Sequence, residues 1–295
     1  TRNDGLLHNN VTSVRQDSLG YIWIGTHRGL NRYDGYKIDS YKYGTNDINS
    51  VYNNRIYSIE IIKNILFMAT EAGLVCFDIH SKKYIDFKST DEEQVFYSQV
   101  TDLKVDHYNR LWLISHQNAV RVVEIGRGEE LLLKPKDIGK EKEFKSLKGK
   151  PKLVCDEKGN IYIFGKEKLS YYFNNSMGEI VFGGQVIENL DPWIQEMGMD
   201  GNRIWVCTSN KLQKYLLRND LAIVLEKEIP FSEYNISTFY IDKEFIWIVT
   251  NDGLVKLTKD GDAIDYVKYS NIPWDKTSIS NDINNIYIDN NNMDS

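Results

Sequence analysis

The sequence predicts an all-β chain of tandem four-stranded sheets, and three observations carry that prediction. An aromatic residue recurs at a nearly constant interval, an Asp-containing turn stands ahead of most copies, and a small residue followed by a Gly-Leu-like step stands after it. The aromatic positions are Trp23, Phe67, Trp112, Tyr162, Trp205 and Trp247, spaced 44, 45, 50, 43 and 42 residues apart. That interval is the length of one blade of a β-propeller.

The first repeat shows each element in order. Val11-Thr-Ser-Val14 opens a strand, Asp17-Ser-Leu-Gly20 turns it, and Tyr21-Ile-Trp-Ile-Gly-Thr26 returns as the second strand. The same turn recurs as Asp106-His-Tyr-Asn109, Asp156-Glu-Lys-Gly159, Asp200-Gly-Asn202 and Asp242-Lys-Glu244. Asp, Asn and Gly bond to their own backbone and tolerate positive φ, so these are hairpin turns. After a small or hydroxylated residue (Thr26, Thr70, Ser115, Gly165, Thr208, Thr250), a short loop leads into a third strand at Gly29-Leu30, Gly73-Leu74, Lys168-Leu169, Lys211-Leu212 and Gly253-Leu254. Fourth strands are predicted over 36–43, 83–88, 221–226 and 263–269, where apolar and polar residues roughly alternate as on an outer, half-solvated strand. A single sheet of this kind cannot bury both faces, so neighbours stack and the repeated ring fills the gap between them.

The domain prediction is therefore one β-propeller over 1–295, with blades at 9–47, 48–90, 98–137, 150–189, 192–230 and 235–278. A partial seventh occupies 279–295, its first strand at Asp282–Asp289. Six full repeats and the start of another are present, and the family resemblance carried by the first repeat implies the N-terminal seven-bladed propeller of a larger sensor.

Composition narrows the class. At 41% hydrophobic and 26% charged, the chain is an ordinary globular protein, and an aromatic fraction of 12% with 19 Tyr against 11 Phe suits half-buried sheet faces. A formal net charge of -6 gives no global field for phosphates, which argues against a nucleic-acid partner. No apolar run of about 18 residues is present to span a bilayer as a helix. Cys76, Cys155 and Cys207 are far apart in predicted strands and read as free thiols.

The run Asn10-Val-Thr-Ser-Val14, Asp17-Ser-Leu-Gly-Tyr-Ile-Trp-Ile-Gly-Thr26 and Gly29-Leu-Asn-Arg-Tyr-Asp34 closely resembles the regulator-propeller repeat of two-component systems in Bacteroides-type bacteria. Phe245-Ile-Trp-Ile-Val-Thr250 and Gly253-Leu-Val-Lys-Leu257 carry the same resemblance late in the chain, whereas residues 126–150 depart from it. The resemblance implies a periplasmic sensor region of a hybrid histidine kinase anchored in the inner membrane by a span outside this sequence. It also implies a second propeller and an immunoglobulin-like domain in the same receptor, receptor dimerisation, and glycan fragments as the signal that regulates polysaccharide-utilisation transcription.

In a propeller, the residues that lead into each first strand share a face with the loop after each second strand. The ligand-binding candidates on that face are His27, Arg28, Arg55, Glu71, Gln99, His116, Gln117, Trp193, Asn210, Asn235, Asn251 and Asp252. Amides, charges and a Trp suit a sugar, whose hydroxyls need paired donors and acceptors and whose C–H face stacks on a ring. The bland alternative is that these side chains cap strand ends and meet water. The Lys-rich insertion 134–150 reads as a solvated loop that accounts for the long 50-residue interval.

No zinc His-Glu-x-x-His spacing, Cys-x-x-Cys pair, Gly-x-Ser-x-Gly elbow or phosphate-binding glycine loop occurs, so neither catalysis nor a cofactor or metal is expected here. Two other readings stand beside the sensor. One is a propeller scaffold for a protein partner or for receptor dimerisation without a small ligand, and the other is a polysaccharide lyase or hydrolase with carboxylates paired across the channel.

Overall fold

The computed structural model describes residues 5–42, 55–89, 94–115, 120–127, 130–136, 138, 152–156, 158–165, 168–187, 194–218 and 222–268. The chain divides into two compact units, Thr1–Gln185 and Val186–Ser295. Among the described residues six sheets follow the six repeats, five of four strands and the third of five, and the expected seventh start, with Trp274, lies outside the described residues.

The first unit holds four sheets. Strands β1 (Val11–Gln16), β2 (Ile22–Thr26), β3 (Gly29–Tyr33) and β4 (Ile38–Tyr41) pair antiparallel in that order. The second sheet comprises β5 (Ile56–Ile62), β6 (Ile65–Thr70), β7 (Gly73–Asp78) and β8 (Lys83–Ile85). A short strand, β9 (Phe87–Ser89), precedes the third sheet of β10 (Val100–Val105), β11 (Arg110–Ser115), β12 (Val120–Arg127) and β13 (Leu131–Lys136). The fourth is β14 (Lys152–Cys155), β15 (Ile161–Gly165), β16 (Lys168–Asn174) and β17 (Ile180–Ile187), whose last two residues fall past the unit boundary.

The second unit repeats the plan twice. Its sheets are β18 (Glu196–Asp200), β19 (Arg203–Cys207), β20 (Lys211–Leu217) and β21 (Ile223–Pro230), then β22 (Ile236–Ile241), β23 (Phe245–Thr250), β24 (Gly253–Thr258) and β25 (Ala263–Lys268).

The expected fourth strand over 83–88 is corrected by the structure. It breaks at Asp86: β8 stays on its own sheet, and β9 crosses to pair in parallel with β13, Phe87 opposite Leu131 and Ser89 opposite Leu133. The Phe87 ring explains the crossing. It packs on Phe96 at 5.8 Å and stacks on Tyr97 at 5.9 Å, contacts that the edge of its own sheet does not supply.

Second strands are buried on both faces, so they read as unbroken apolar runs rather than alternating ones. In β6, Leu66 and Met68 face the first sheet with Trp23 and Leu30, while Ile65, Phe67 and Ala69 face the third with Leu103, Leu111 and Leu113. Trp112 of β11 likewise meets Leu153, Ile161 and Tyr172 of the fourth sheet, and Trp205 of β19 meets Ile236, Phe239 and Ile248 of the sixth. Trp23, Phe67, Trp112 and Trp205 thus each pack on the sheet that follows, and burying one such large apolar side chain contributes about 1.5–3 kcal/mol. Trp247 is only half-buried.

The Asp turn has a second task that its spacing did not announce. Asp17 Oδ1 accepts the Leu19 and Tyr21 backbone N–H groups, and its Oδ2 accepts Trp23 Nε1–H at 2.8 Å. Asp106 does the same for Tyr108, Arg110 and the Trp112 ring at 2.9 Å, Asp156 for Lys158, Asn160 and the Tyr162 hydroxyl, and Asp242 for Glu244, Phe245 and the Trp247 ring. One carboxylate therefore closes the hairpin and satisfies the polar atom of the buried ring, which otherwise costs about 1–3 kcal/mol. Two copies test the rule from within the chain. The second sheet has Phe67, which has no N–H, and turns on Lys63-Asn64 with no Asp. In the fifth, Asp200 binds Lys259 at 2.6 Å, and Trp205 Nε1 is buried with no hydrogen-bond partner among the described residues.

Candidate functional site

The residues leading into first strands and those after second strands do meet, because they flank the last pair of each β-hairpin ladder. In the first sheet the His27 N–H donates to Asn10 O, and in the second the Glu71 N–H donates to Arg55 O. Just inside these pairs, the first strand carries an extra residue that breaks the register, between Val11 and Ser13, Ile56 and Ser58, Val100 and Asp102, and Ile236 and Thr238. A β-bulge of this sort re-aims the side chain of the extra residue.

At the bulge the copies differ in a telling way. Thr12, Thr101 and Ser237 occupy it in the first, third and sixth sheets, and Tyr57 occupies it in the second. Thr12 Oγ1 donates to backbone carbonyls of Gly25 and Ile56, and Thr101 Oγ1 to that of Ile114, so the small hydroxyls serve the scaffold. The Tyr57 hydroxyl instead accepts Gln99 Nε2–H at 2.8 Å and contacts Glu71 Oε2 at 3.4 Å. Burial, and then the Glu71 charge, hold its phenol above the ordinary range, so it remains a proton donor at neutral pH. Arg55 stands over the Tyr57 ring at 5.6 Å and bonds Glu71 through Nη1 at 3.3 Å.

The first sheet contributes a histidine pair beside this group. His8 and His27 stack with ring centroids 5.8 Å apart, and the Asn10 N–H donates to His8 Nδ1. Burial first, then the charges of Arg55 and His8, hold His27 below its ordinary pKa of 6.5, with Glu71 pulling the other way. Three sheets of the first unit thus bring His27, Arg55, Glu71 and Gln99 together. Arg28, exposed on the same loop as His27, has no side-chain partner among the described residues. His8 and Tyr57 belong to the group and were missed by sequence. Tyr57 lies inside a predicted strand rather than at its end, although its departure from the Thr/Ser of its repeat-mates was the available signal.

The remaining predicted residues are placed differently. In the second unit, Asn251 Oδ1 accepts the Asn235 N–H and the Asn251 N–H donates to Asn235 O, a closed cap across the hairpin mouth. Asn210 Oδ1 accepts Thr208 Oγ1–H, and the Asp252 N–H donates to Thr250 Oγ1. These contacts tie strand ends. His116, Gln117 and Trp193 lie outside the described residues.

A cleft of about 470 Å³ opens at the opposite end of the second and third sheets of the first unit, beside Ile62, Lys63, Tyr108 and Arg110. Its arginine is already committed: Nε bonds Asp106 at 2.7 Å, Nη2 bonds Asn174 Oδ1, Nη1 reaches Gly178 O, and the guanidinium covers the Tyr108 ring at 4.8 Å. Arg110 builds the scaffold, whereas Arg55 has Nε and Nη2 without partners among the described residues. Burial raises Cys76 far above its ordinary value and pushes Cys155, 3.7 Å from His107, up to about 12. Among the described residues no group of three or more His, Cys, Asp or Glu is disposed to hold a metal ion, and no helix is long and apolar enough to cross a membrane.

Comparison with known proteins agrees with this architecture. Residues 5–28 match the two component regulator propeller family. Over 48 residues the chain is 38% identical to Histidine kinase P4 of Formosa agariphila, a match that covers 16% of this chain and 4% of that protein. By structure it is similar to the extracellular domain of the putative one component system BT4673 from B. thetaiotaomicron (TM-score 0.69, 20% identity, 97% of this chain and 36% of that one). It is also similar to the extracellular domain of the putative hybrid two component system BT3049 from the same organism (TM-score 0.65, 18% identity, 95% and 38%). The chain thus spans little more than a third of these solved relatives and a twenty-fifth of the curated one. Residues 5–28, running from the approach to β1 through β2, thus match a two component regulator propeller repeat, and the fold that carries them is a β-propeller of four-stranded blades.

Proposed function

We propose that this chain is the ligand-sensing module of a hybrid two-component histidine kinase, and that it binds oligosaccharide at the mouth of its first three blades. The observation that carries the reading is the convergence there of His8, His27, Arg55, Tyr57, Glu71 and Gln99. It is a mixed donor and acceptor set with two aromatic ring types, half-exposed, and only partly committed to internal bonds. Sugar hydroxyls need such pairs, and ring faces take the C–H surface. The extracellular domains whose fold it shares support a periplasmic location, and a second propeller, an immunoglobulin-like domain and a dimeric receptor are the partners that the resemblance of the repeat implies. Binding signals only if the ligand prefers one arrangement of those partners over another, so the work of this module is recognition and not bond chemistry.

The test is calorimetry of this chain against a panel of neutral and acidic oligosaccharides. A saturable isotherm that Arg55→Ala and Tyr57→Phe each weaken by about tenfold, the scale of one lost charged or buried hydrogen bond, is the expected result. Binding untouched by both variants places recognition elsewhere on the chain, and no binding to any member favours the protein scaffold.

A further inference from the structure

The internal repeat supplies its own control for what the second blade has been given. Where the first and sixth blades carry Asn10, Thr12 and His27, or Asn235, Ser237 and Asn251, the second carries Arg55, Tyr57 and Glu71. In the sixth blade the two asparagines close on each other through the backbone and Asn251 Oδ1, which completes the hairpin mouth without any charge. Scaffold duty at these positions therefore needs only amides and small hydroxyls. The charged set of the second blade is surplus to it.

The charge arithmetic then gives the sign of the ligand. Among the described residues, Arg55 pairs with the Glu71 carboxylate and Arg28 follows His27 on the same loop, with the His8 and His27 rings stacked beside them. Arg55 is 45% exposed and spends one nitrogen on Glu71 at the long distance of 3.3 Å. Its Nε and Nη2 edge has no partner among the described residues. A guanidinium with a free planar edge, steadied by an aromatic ring beneath it, matches the two oxygens of a carboxylate or sulfate group. Glu71 offsets one of the two arginine charges and leaves the other, and it also holds the Tyr57 phenol that faces Gln99.

We infer that the mouth of the second blade is an anion subsite, with the Arg55 guanidinium as its anchor and His27 and Arg28 beside it, and that it selects saccharides bearing a negatively charged substituent. This rests on the reading of the mouth as an oligosaccharide site and adds the chemical class. The Tyr57 hydroxyl and Gln99 amide bind neighbouring sugar hydroxyls, so the anion chooses among ligands while the polar pair fixes their orientation.

Three probes on one scaffold decide it: a β-linked galactose tetrasaccharide, the same tetrasaccharide bearing 6-sulfate, and its counterpart oxidised to the uronate. Calorimetry on this chain is expected to show either or both charged probes binding at least about tenfold more tightly than the neutral one, the usual worth of a charge-assisted pair. The two charged arms separate a sulfate-reading site from a carboxylate-reading one. Arg55→Gln is expected to erase the preference, Arg55→Lys to restore part of it, and unchanged thermal unfolding of both variants would show that folding is intact. Equal binding of neutral and charged probes that Tyr57→Phe weakens overturns the anion subsite and leaves the saccharide site standing. Failure of all three probes to bind overturns both.

Discussion

At the scale of single residues, the turn aspartates show how much one side chain decides. Burial alone would raise the Asp242 carboxyl, but the Trp247 ring N–H, the Phe245 and Glu244 backbone N–H groups and the charge of Lys259 together bring it below its ordinary value of 3.8. A depressed folded-state value means that the stabilisation is present in full above 3.8 and is lost as pH falls through the lower folded value. Asp242→Asn is therefore expected to cost about 1–3 kcal/mol at pH 7, the price of leaving such partners ill-matched, and the gap to wild type should narrow by pH 3. Urea midpoints at the two pH values measure this, and a gap that stays constant would refute the clamp. The Asp and its ring five or six residues on were legible in sequence as a hairpin and a core position. The bond between them was not, because spacing does not say which way a turn carboxylate points. Trp205 makes the point from the other side, since its Asp200 ends β18 ahead of a two-residue turn and serves Lys259 instead.

At the scale of elements, strand order was legible and strand allegiance was not. Periodicity marks where a strand runs, but the hydrogen-bonding edge it joins depends on which neighbour can bury its side chains. Residues 83–88 read as one outer strand, yet Phe87 carries its half to the third sheet, where Phe96 and Tyr97 receive it. The bulges escaped notice for a related reason: an extra residue shifts the alternation by one and looks in sequence like ordinary irregularity, so Tyr57 was passed over. The short 3₁₀ turn Gln94–Tyr97 that leads into the third sheet also sets a tight approach. Gly73, at φ +124°, faces the Phe96 carbonyl so closely that an added Cβ would lie 2.2 Å from the oxygen, with backbone on both sides of the clash. Gly73→Ala should thus destabilise the protein by more than about 2–3 kcal/mol, combining backbone strain with overpacking. Gly178→Ala is the control, at φ +76° with nothing within 4 Å, and should cost only the conformational penalty of roughly 1–2 kcal/mol. Equal losses in thermal or urea unfolding would mean that the contact with the 3₁₀ turn contributes nothing.

At the scale of the whole molecule, the repeat told the fold while the charge of the candidate site ran against the composition. A net charge of -6 and a pI near 5.5 describe an acidic protein, and nothing in those totals announces two arginines beside a histidine pair on the first two blades of the first unit. Composition averages over surface that a ligand never meets. This opposition has a kinetic consequence for any anionic saccharide. Far from the protein it is repelled by the net charge, and only within a few ångströms does it feel Arg55 and Arg28. Raising salt from about 10 mM to about 150 mM shortens the Debye length from about 30 Å to about 8 Å, which screens the long-range repulsion more completely than the short-range attraction. The association rate of an acidic tetrasaccharide should therefore hold level or rise over that range, while its dissociation rate increases as the contact with the guanidinium weakens. Stopped-flow or surface-based kinetics separate the two rates. An association rate that falls about tenfold with salt, as electrostatic steering into an extended basic surface demands, would show that attraction acts at long range and that a local anchor at Arg55 does not account for recognition.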